Sequence, residues 1–268
     1  MENAMKKWTK WVAAGLLPMF LALGSAAAAT NDLAVIQKAG VIKIGTEGTF
    51  APFTYHETGG KLVGFDVDMG RAIAKQLGVK AEFVEGPWDG LIAGLNAHRY
   101  DLVMNQVGIT PEREAKYDFS RPYLSSSAAL MVRDDNTTIH SFKDLAGKTA
   151  AETLTSNFSH FAQQNGAKIV AVQGFNEAIA LVVQGRADAT VNDYLSYLDF
   201  HKRQPQAKVK VVAEDSTGAF GRTGVLMRKD QPQLQAAINK AIDTILADGT
   251  YKQISEHYFG VDLSSRLK

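Results

Sequence analysis

Twice along this chain a helical pattern ends in an Arg-x-Asp turn and runs directly into a short buried strand. The first copy is Asn96-Ala-His-Arg-Tyr-Asp-Leu-Val-Met104 and the second is Val183-Gln-Gly-Arg-Ala-Asp-Ala-Thr-Val191. Each copy closes a longer alternation of periods. In the first, 41–45, 80–84 and 101–107 read as strands, and 65–77 and 88–97 read as helices, with Gly78 placed to end the earlier helix. In the second, 149–152, 168–172 and 187–191 read as strands around helices over 157–164 and 175–184. Strands that alternate with helices need crossover connections, which predicts a mostly parallel sheet flanked by helices. The repetition predicts two such lobes in an α/β fold.

The connections set how the lobes are joined. Residues 123–133 form an apolar run long enough for one extended strand between them. Further strands are expected over 208–213 and 223–228, separated by a Gly-, Ser- and Thr-rich segment. The tail, 231–259, carries two helices broken at Asp248-Gly249. A tail that belongs to neither repeat is expected to return to the first lobe. The chain then crosses twice, giving a two-strand hinge with a cleft between the lobes, the usual place for a ligand in open α/β sheets. The expected division is 30–126 with 221–268 for lobe 1 and 127–220 for lobe 2.

Residues 1–29 stand apart. Lys6, Lys7 and Lys10 precede an apolar run over 11–24, and small residues from Ser25 to Ala29 follow. Basic, apolar and small segments in this order make a cleaved secretory signal. The apolar run falls short of the roughly 20 residues that span a bilayer. The chain has no cysteine, hence no disulfide and no lipid-attachment site. A freely diffusing periplasmic protein is the expectation. Residues 1–29 hold three lysines and one glutamate, so their removal turns 29 basic and 28 acidic residues into 26 and 27. That balance offers no electrostatic footprint for nucleic acid.

Candidate site residues gather at strand ends. Thr110 suits an N-cap and Pro111 the first helical position, which puts Arg113 in the first turn. A cation there costs about 0.3–1 kcal/mol against the helix dipole. Either a ligand carboxylate offsets that cost, or Arg113 pairs with Glu112 or Glu114. Ser156 or Asn157 caps the helix that follows 149–152, either as an anion half-site or as an ordinary cap. Asp193 follows a strand and suits an ammonium group or the N-cap of a helix over 194–200. Phe50 and Trp88 wall a side-chain pocket or belong to the core, and Glu47 is placed to read a polar ligand end. The six histidines are scattered without metal spacing, and no nucleophile elbow, P-loop or dinucleotide fingerprint is present. Neither metal, cofactor nor catalytic residue is expected.

Glu47, Phe50, Trp88 and Arg113 fall in motifs that resemble the polar amino-acid-binding proteins of bacterial ABC importers. The motifs are Gly45-Thr-Glu-Gly-Thr-Phe-Ala-Pro-Phe53, Leu62-Val-Gly-Phe-Asp-Val-Asp68, Trp88-Asp-Gly-Leu-Ile92, the segment 109–113, Tyr117-Asp-Phe-Ser120, Pro122-Tyr123, Gly185-Arg-Ala-Asp188, Asp248-Gly-Thr-Tyr251 and Tyr258-Phe259. The resemblance spans essentially all of the chain after the signal. It implies a two-lobed type II periplasmic-binding-protein fold and a small-molecule amino acid as ligand. A membrane permease is the implied partner, and the receptor is expected to be a monomer. It implies that Arg113 with the backbone of Ser156 and Asn157 holds the ligand carboxylate. Asp193 and the carbonyl near Gly108 would hold the ammonium, with Phe50 and Trp88 as pocket walls. Asn105, Gln106 and Gly108 stand where many relatives carry small hydroxyl residues. With Lys116-Tyr-Asp-Phe-Ser-x-Pro-Tyr123 they look most like the cystine/cysteine-binding branch, and Asn105 and Gln106 join Glu47 in the implied pocket. Glutamine, histidine or a basic amino acid is the alternative ligand. An exported dehydratase on the same fold is the alternative function.

Overall fold

The computed structural model describes residues 32–215 and 220–267, so the expected signal over 1–29 lies outside the described residues. Two five-stranded sheets organise the chain. The first runs Lys80–Glu85, Val41–Thr46, Leu102–Val103, Leu226–Arg228, Tyr117–Phe119. The second runs Lys168–Ala171, Thr149–Glu152, Ala189–Asp193, Ala128–Arg133, Val209–Asp215. In each, the first three strands are parallel and lie in chain order second, first, third. The repeat in sequence is therefore a repeat in topology. Each of the other two strands of each sheet pairs antiparallel to the strand before it in the sheet order. In the first sheet one of them, Leu226–Arg228, arrives from the far end of the chain.

Helices cover both sheets because their apolar positions recur at helical spacing. Phe65–Gln76 buries Phe65, Val67, Met69, Ile73 and Ala74. Leu77 follows as the C-cap and Gly78 takes the left-handed φ of +73° that ends the helix. The tail forms Pro232–Ala247 and Thr250–Phe259, parted at Asp248-Gly249 as the sequence predicts. Both pack on Phe65–Gln76 of the first lobe. A helix that the sequence reading did not anticipate, Asp32–Ala39, opens the described chain. Its Asp32 accepts from Arg228 Nη2 at 2.6 Å, while Arg228 Nη1 donates to the carbonyls of Leu95 and Tyr100. One largely buried guanidinium thus ties the first helix and the returning strand to the same lobe.

Several expected strands are broken or shifted, each for a tertiary reason. The expected single strand over 123–133 splits into Leu124–Ser125 and Ala128–Arg133. Leu124–Ser125 pairs with Arg222–Thr223, the second crossover, whereas Ala128–Arg133 joins the second sheet. The strand over 223–228 splits likewise, because Thr223 pairs with Leu124 while Leu226 lies between Val103 and Phe119. The strand over 101–107 keeps regular pairing only at Leu102–Val103, and Gln106 turns the chain with φ +53°. The strand expected at 187–191 is instead Ala189–Asp193, which carries Asp193 to its end. The strand expected at 208–213 runs over Val209–Asp215.

Candidate functional site

The carboxyl ends of the parallel strands in both sheets face a shared cleft, and a narrow cavity of about 40 Å³ lies there. Glu47, Phe50, Trp88, Asn105 and Gln106 line it from the first lobe. Thr153, Ser156, Phe158, Gly174, Phe175 and Asn192 line it from the second. Phe50 and Phe175 meet across it with ring centroids 6.1 Å apart.

Asn105 fixes the polar wall. Its Oδ1 accepts from Glu47 N at 2.7 Å and from Thr46 Oγ1 at 3.1 Å, and its Nδ2 donates to Glu47 Oε2 at 2.5 Å. The Glu47 carboxyl is thereby aimed along the strand end into the cavity. Burial raises its pKa from 4.5 to about 7, against the lowering effect of the Asn105 bond, and the nearby Asp89 charge raises it further. Trp88 is 8% exposed, and its Nε1 has no hydrogen-bond partner among the described residues.

Thr110 caps the short helix Pro111–Glu114 by accepting from Arg113 N, with Pro111 at the first position. Arg113 turns back from this helix. Its guanidinium lies 5.5 Å from the Trp88 ring centre, Nη1 donates to Gly108 O at 3.0 Å, and Nη2 reaches Thr155 O at 3.4 Å. Among the described residues no carboxylate lies within ion-pair distance of it, so the alternative pairing with Glu112 or Glu114 is not formed. Burial lowers its pKa to about 10, opposed by the Glu112 charge.

Across the cleft, Ser156 caps Asn157–Gln164: Ser159 N donates to Ser156 Oγ at 3.0 Å. Asn157 is the first residue of that helix, and its Nδ2 would lie 3.0 Å from a Cβ placed on Gly108. A glycine at 108 leaves room for the Asn157 side chain of the opposite lobe to lie close against it. Arg113 and Asn157 also border a wider, open cavity of about 660 Å³ with Thr155, His160 and Phe220.

The implied carboxylate group is therefore split from the pocket group. Glu47, Phe50, Trp88, Asn105, Gln106 and Ser156 share the narrow cavity, and Arg113, Gly108 and Asn157 form its neighbouring wall. Asp193 lies behind the lining, where its neighbour Asn192 takes the cavity position. Its Oδ1 accepts from Leu195 N at 2.8 Å and Ser196 N at 3.3 Å, which is the helix N-cap alternative. Burial raises its pKa to about 6.

Gln106 is tied more to the hinge than to the cavity. Its N–H donates to Asp66 Oδ2 at 2.7 Å, and its Oε1 accepts from Thr223 Oγ1 at 2.9 Å. Asp66 also accepts from Tyr123 OH at 3.0 Å, so this buried carboxyl reaches the first crossover directly and the second only through Gln106. Sequence reading missed Asp66, because an acid in the first turn of a helix ordinarily faces water. It also missed Phe158, Gly174 and Phe175. Gly174-Phe175 follows a parallel strand of the second lobe, the kind of position that singled out Phe50 in the first. Among the described residues no group of three His, Asp or Glu side chains converges on a possible metal site. No helix there is long and apolar enough to cross a membrane.

Comparison with known proteins agrees with this architecture. Residues 42–261 match the model of the bacterial extracellular solute-binding proteins, family 3. The L-cystine-binding protein TcyA of Bacillus subtilis (strain 168) is 44% identical over 232 residues, covering 86% of this chain and 85% of that protein. A probable amino-acid ABC transporter-binding protein of Haemophilus influenzae is 40% identical over 229 residues, covering 85% of this chain and 88% of that protein. The solved structure of an ancestral arginine-binding protein bound to arginine superposes with a TM-score of 0.77 at 40% identity, over 82% of this chain and 99% of that one.

Proposed function

The chain belongs to family 3 of the bacterial extracellular solute-binding proteins, and from that premise we propose that it is a receptor that closes two lobes around a free amino acid, L-cystine first, and delivers it to an ABC importer. The observation that carries the reading is Arg113, a cation held at the cleft wall with only carbonyls and an aromatic face for partners among the described residues. A ligand carboxylate supplies the missing charge, and the free N–H groups at the start of Asn157–Gln164 add to it. The 44% identity to an L-cystine-binding protein supports cystine over a basic ligand. So does Glu47, whose raised pKa leaves the pocket only partly anionic near neutrality. Asp193 holds the ligand ammonium in this reading once the lobes part to admit it.

The lobes are bounded as 30–126 with 221–268, and 127–220. The protein works as a periplasmic monomer after loss of residues 1–29, and its partner is the importer's membrane permease. Thermal unfolding of ligand-stripped protein tests the reading. L-cystine should raise the melting temperature, and reductant should abolish the shift. A shift with glutamine, histidine or arginine and none with cystine would move the ligand assignment. No shift with any amino acid would remove the receptor reading. Glu47 favours one rival: a carboxyl that holds its proton near neutrality suits an acid catalyst, as a dehydratase requires. Turnover of a cyclohexadienyl acid would establish that rival.

A further inference from the structure

Few polar contacts among the described residues join the two lobes across the cleft, and they are unequal. Arg113 Nη2 to Thr155 O and Asn176 Nδ2 to Thr49 O are each 3.4 Å long, near the limit of a hydrogen bond. Asp89 is different. Its Oδ1 accepts from Thr155 N at 2.9 Å and Thr155 Oγ1 at 2.7 Å, and its Oδ2 accepts from Leu154 N at 3.2 Å. Asp89 stands in the first turn of Trp88–Asn96 on the first lobe, yet it does not cap its own helix. Its partners lie on the second lobe, in the turn between Thr149–Glu152 and the Ser156 cap. Two successive backbone N–H groups and a hydroxyl thus cup a carboxylate supplied by the opposite lobe, an arrangement suited to an anion.

We propose that Asp89 is the latch of the clamp, a positioning residue that holds the lobes together without touching the ligand. It lines neither the narrow cavity nor the wide one beside it. When the lobes part, the Asp89 carboxylate and the three donors pass to water, so the latch adds to the closed state alone. The inference rests on the receptor reading. A receptor whose binding-competent state is partly populated binds every ligand more weakly by the same fraction. Losing the latch therefore weakens ligands of equal net charge, such as L-cystine and L-glutamine, alike and leaves their order of preference unchanged. The effect falls on dissociation, because a clamp that opens more often releases its ligand sooner.

The test compares wild-type protein with Asp89→Ala, Asp89→Asn, Thr155→Val and the Asp89→Ala/Thr155→Val double variant. L-cystine and L-glutamine are the probes, by calorimetry and by stopped-flow tryptophan fluorescence. Asp89→Ala should raise Kd and the dissociation rate roughly tenfold for each ligand that wild type binds, the exposed setting holding the effect below that of a buried charge. Asp89→Asn should fall between, since it keeps one acceptor and turns a donor toward Leu154 N. The double variant should lose less than the product of the single losses. Wild-type binding and dissociation in Asp89→Ala would overturn the latch, as would weakening of one ligand alone. Small-angle scattering without ligand gives a separate reading. Asp89→Ala should have the larger radius, and an unchanged radius counts against the latch even if wild type binds no amino acid and the receptor reading has failed.

Discussion

Glu47→Gln gives a sharp check on the electrostatics of the cleft. Burial raises the Glu47 pKa from 4.5 to about 7 despite the Asn105 hydrogen bond. Between those two values the folded protein keeps a proton that the unfolded chain has lost, so stability falls as pH rises through the window. The contribution is complete below pH 4.5 and gone above about 7. A shift of this size corresponds to about 3 kcal/mol. Glutamine keeps an oxygen to accept from Asn105 Nδ2 and cannot ionise. Urea unfolding of ligand-free protein at intervals from about pH 4 to about pH 8 reads the difference. The variant and wild type should be nearly equal at the acid end, with the variant more stable by up to about 3 kcal/mol at the alkaline end. Asp66 and Asp193, also raised by burial, give both proteins the same underlying decline, and the comparison cancels it. Parallel curves across the whole range would refute the reasoning, since they would mean that Glu47 ionises freely and meets water in the folded state.

Other substitutions separate binding from stability. Arg113→Ala should cost about 2–5 kcal/mol of ligand affinity by calorimetry, because the ligand carboxylate is left without its cation. It should leave the ligand-free melting temperature nearly unchanged, because the guanidinium has no ion-pair partner to strand among the described residues. Ser156→Ala should lower stability by about 1 kcal/mol in thermal unfolding, the usual cost of a lost N-cap. Gly221→Ala should cost about 1–3 kcal/mol or more, as the added Cβ would sit 2.0 Å from Ser126 O, where the two crossovers lie back to back. Denaturant titration measures that loss.

What the chain determines by itself is local. Thr149–Glu152 and Asn157–Gln164 form with the bounds expected from sequence, and so do the Thr110–Pro111 helix start and the break at Asp248-Gly249. Apolar spacing, caps and breakers act within about one helical turn, so they are written in adjacent residues. Six of the ten candidate residues meet in one cavity: strand ends and helix starts pointed to Glu47, Phe50, Trp88 and Ser156, and the family resemblance added Asn105 and Gln106. Tertiary structure decided the rest. The run at 123–133 reads as one extended strand despite its serines, and it breaks at Ser126-Ser127 because its pairing partner changes from Arg222–Thr223 to the second sheet. Asp66 and Asp68 look alike in sequence, but only Asp66 is sealed against Gln106 and Tyr123 at the hinge. Asp89 reads as an ordinary first-turn acid until the second lobe brings Leu154 and Thr155 to it. Each of these outcomes depends on groups far along the chain or on a change of strand partner, and no local pattern carries the identity of a distant neighbour.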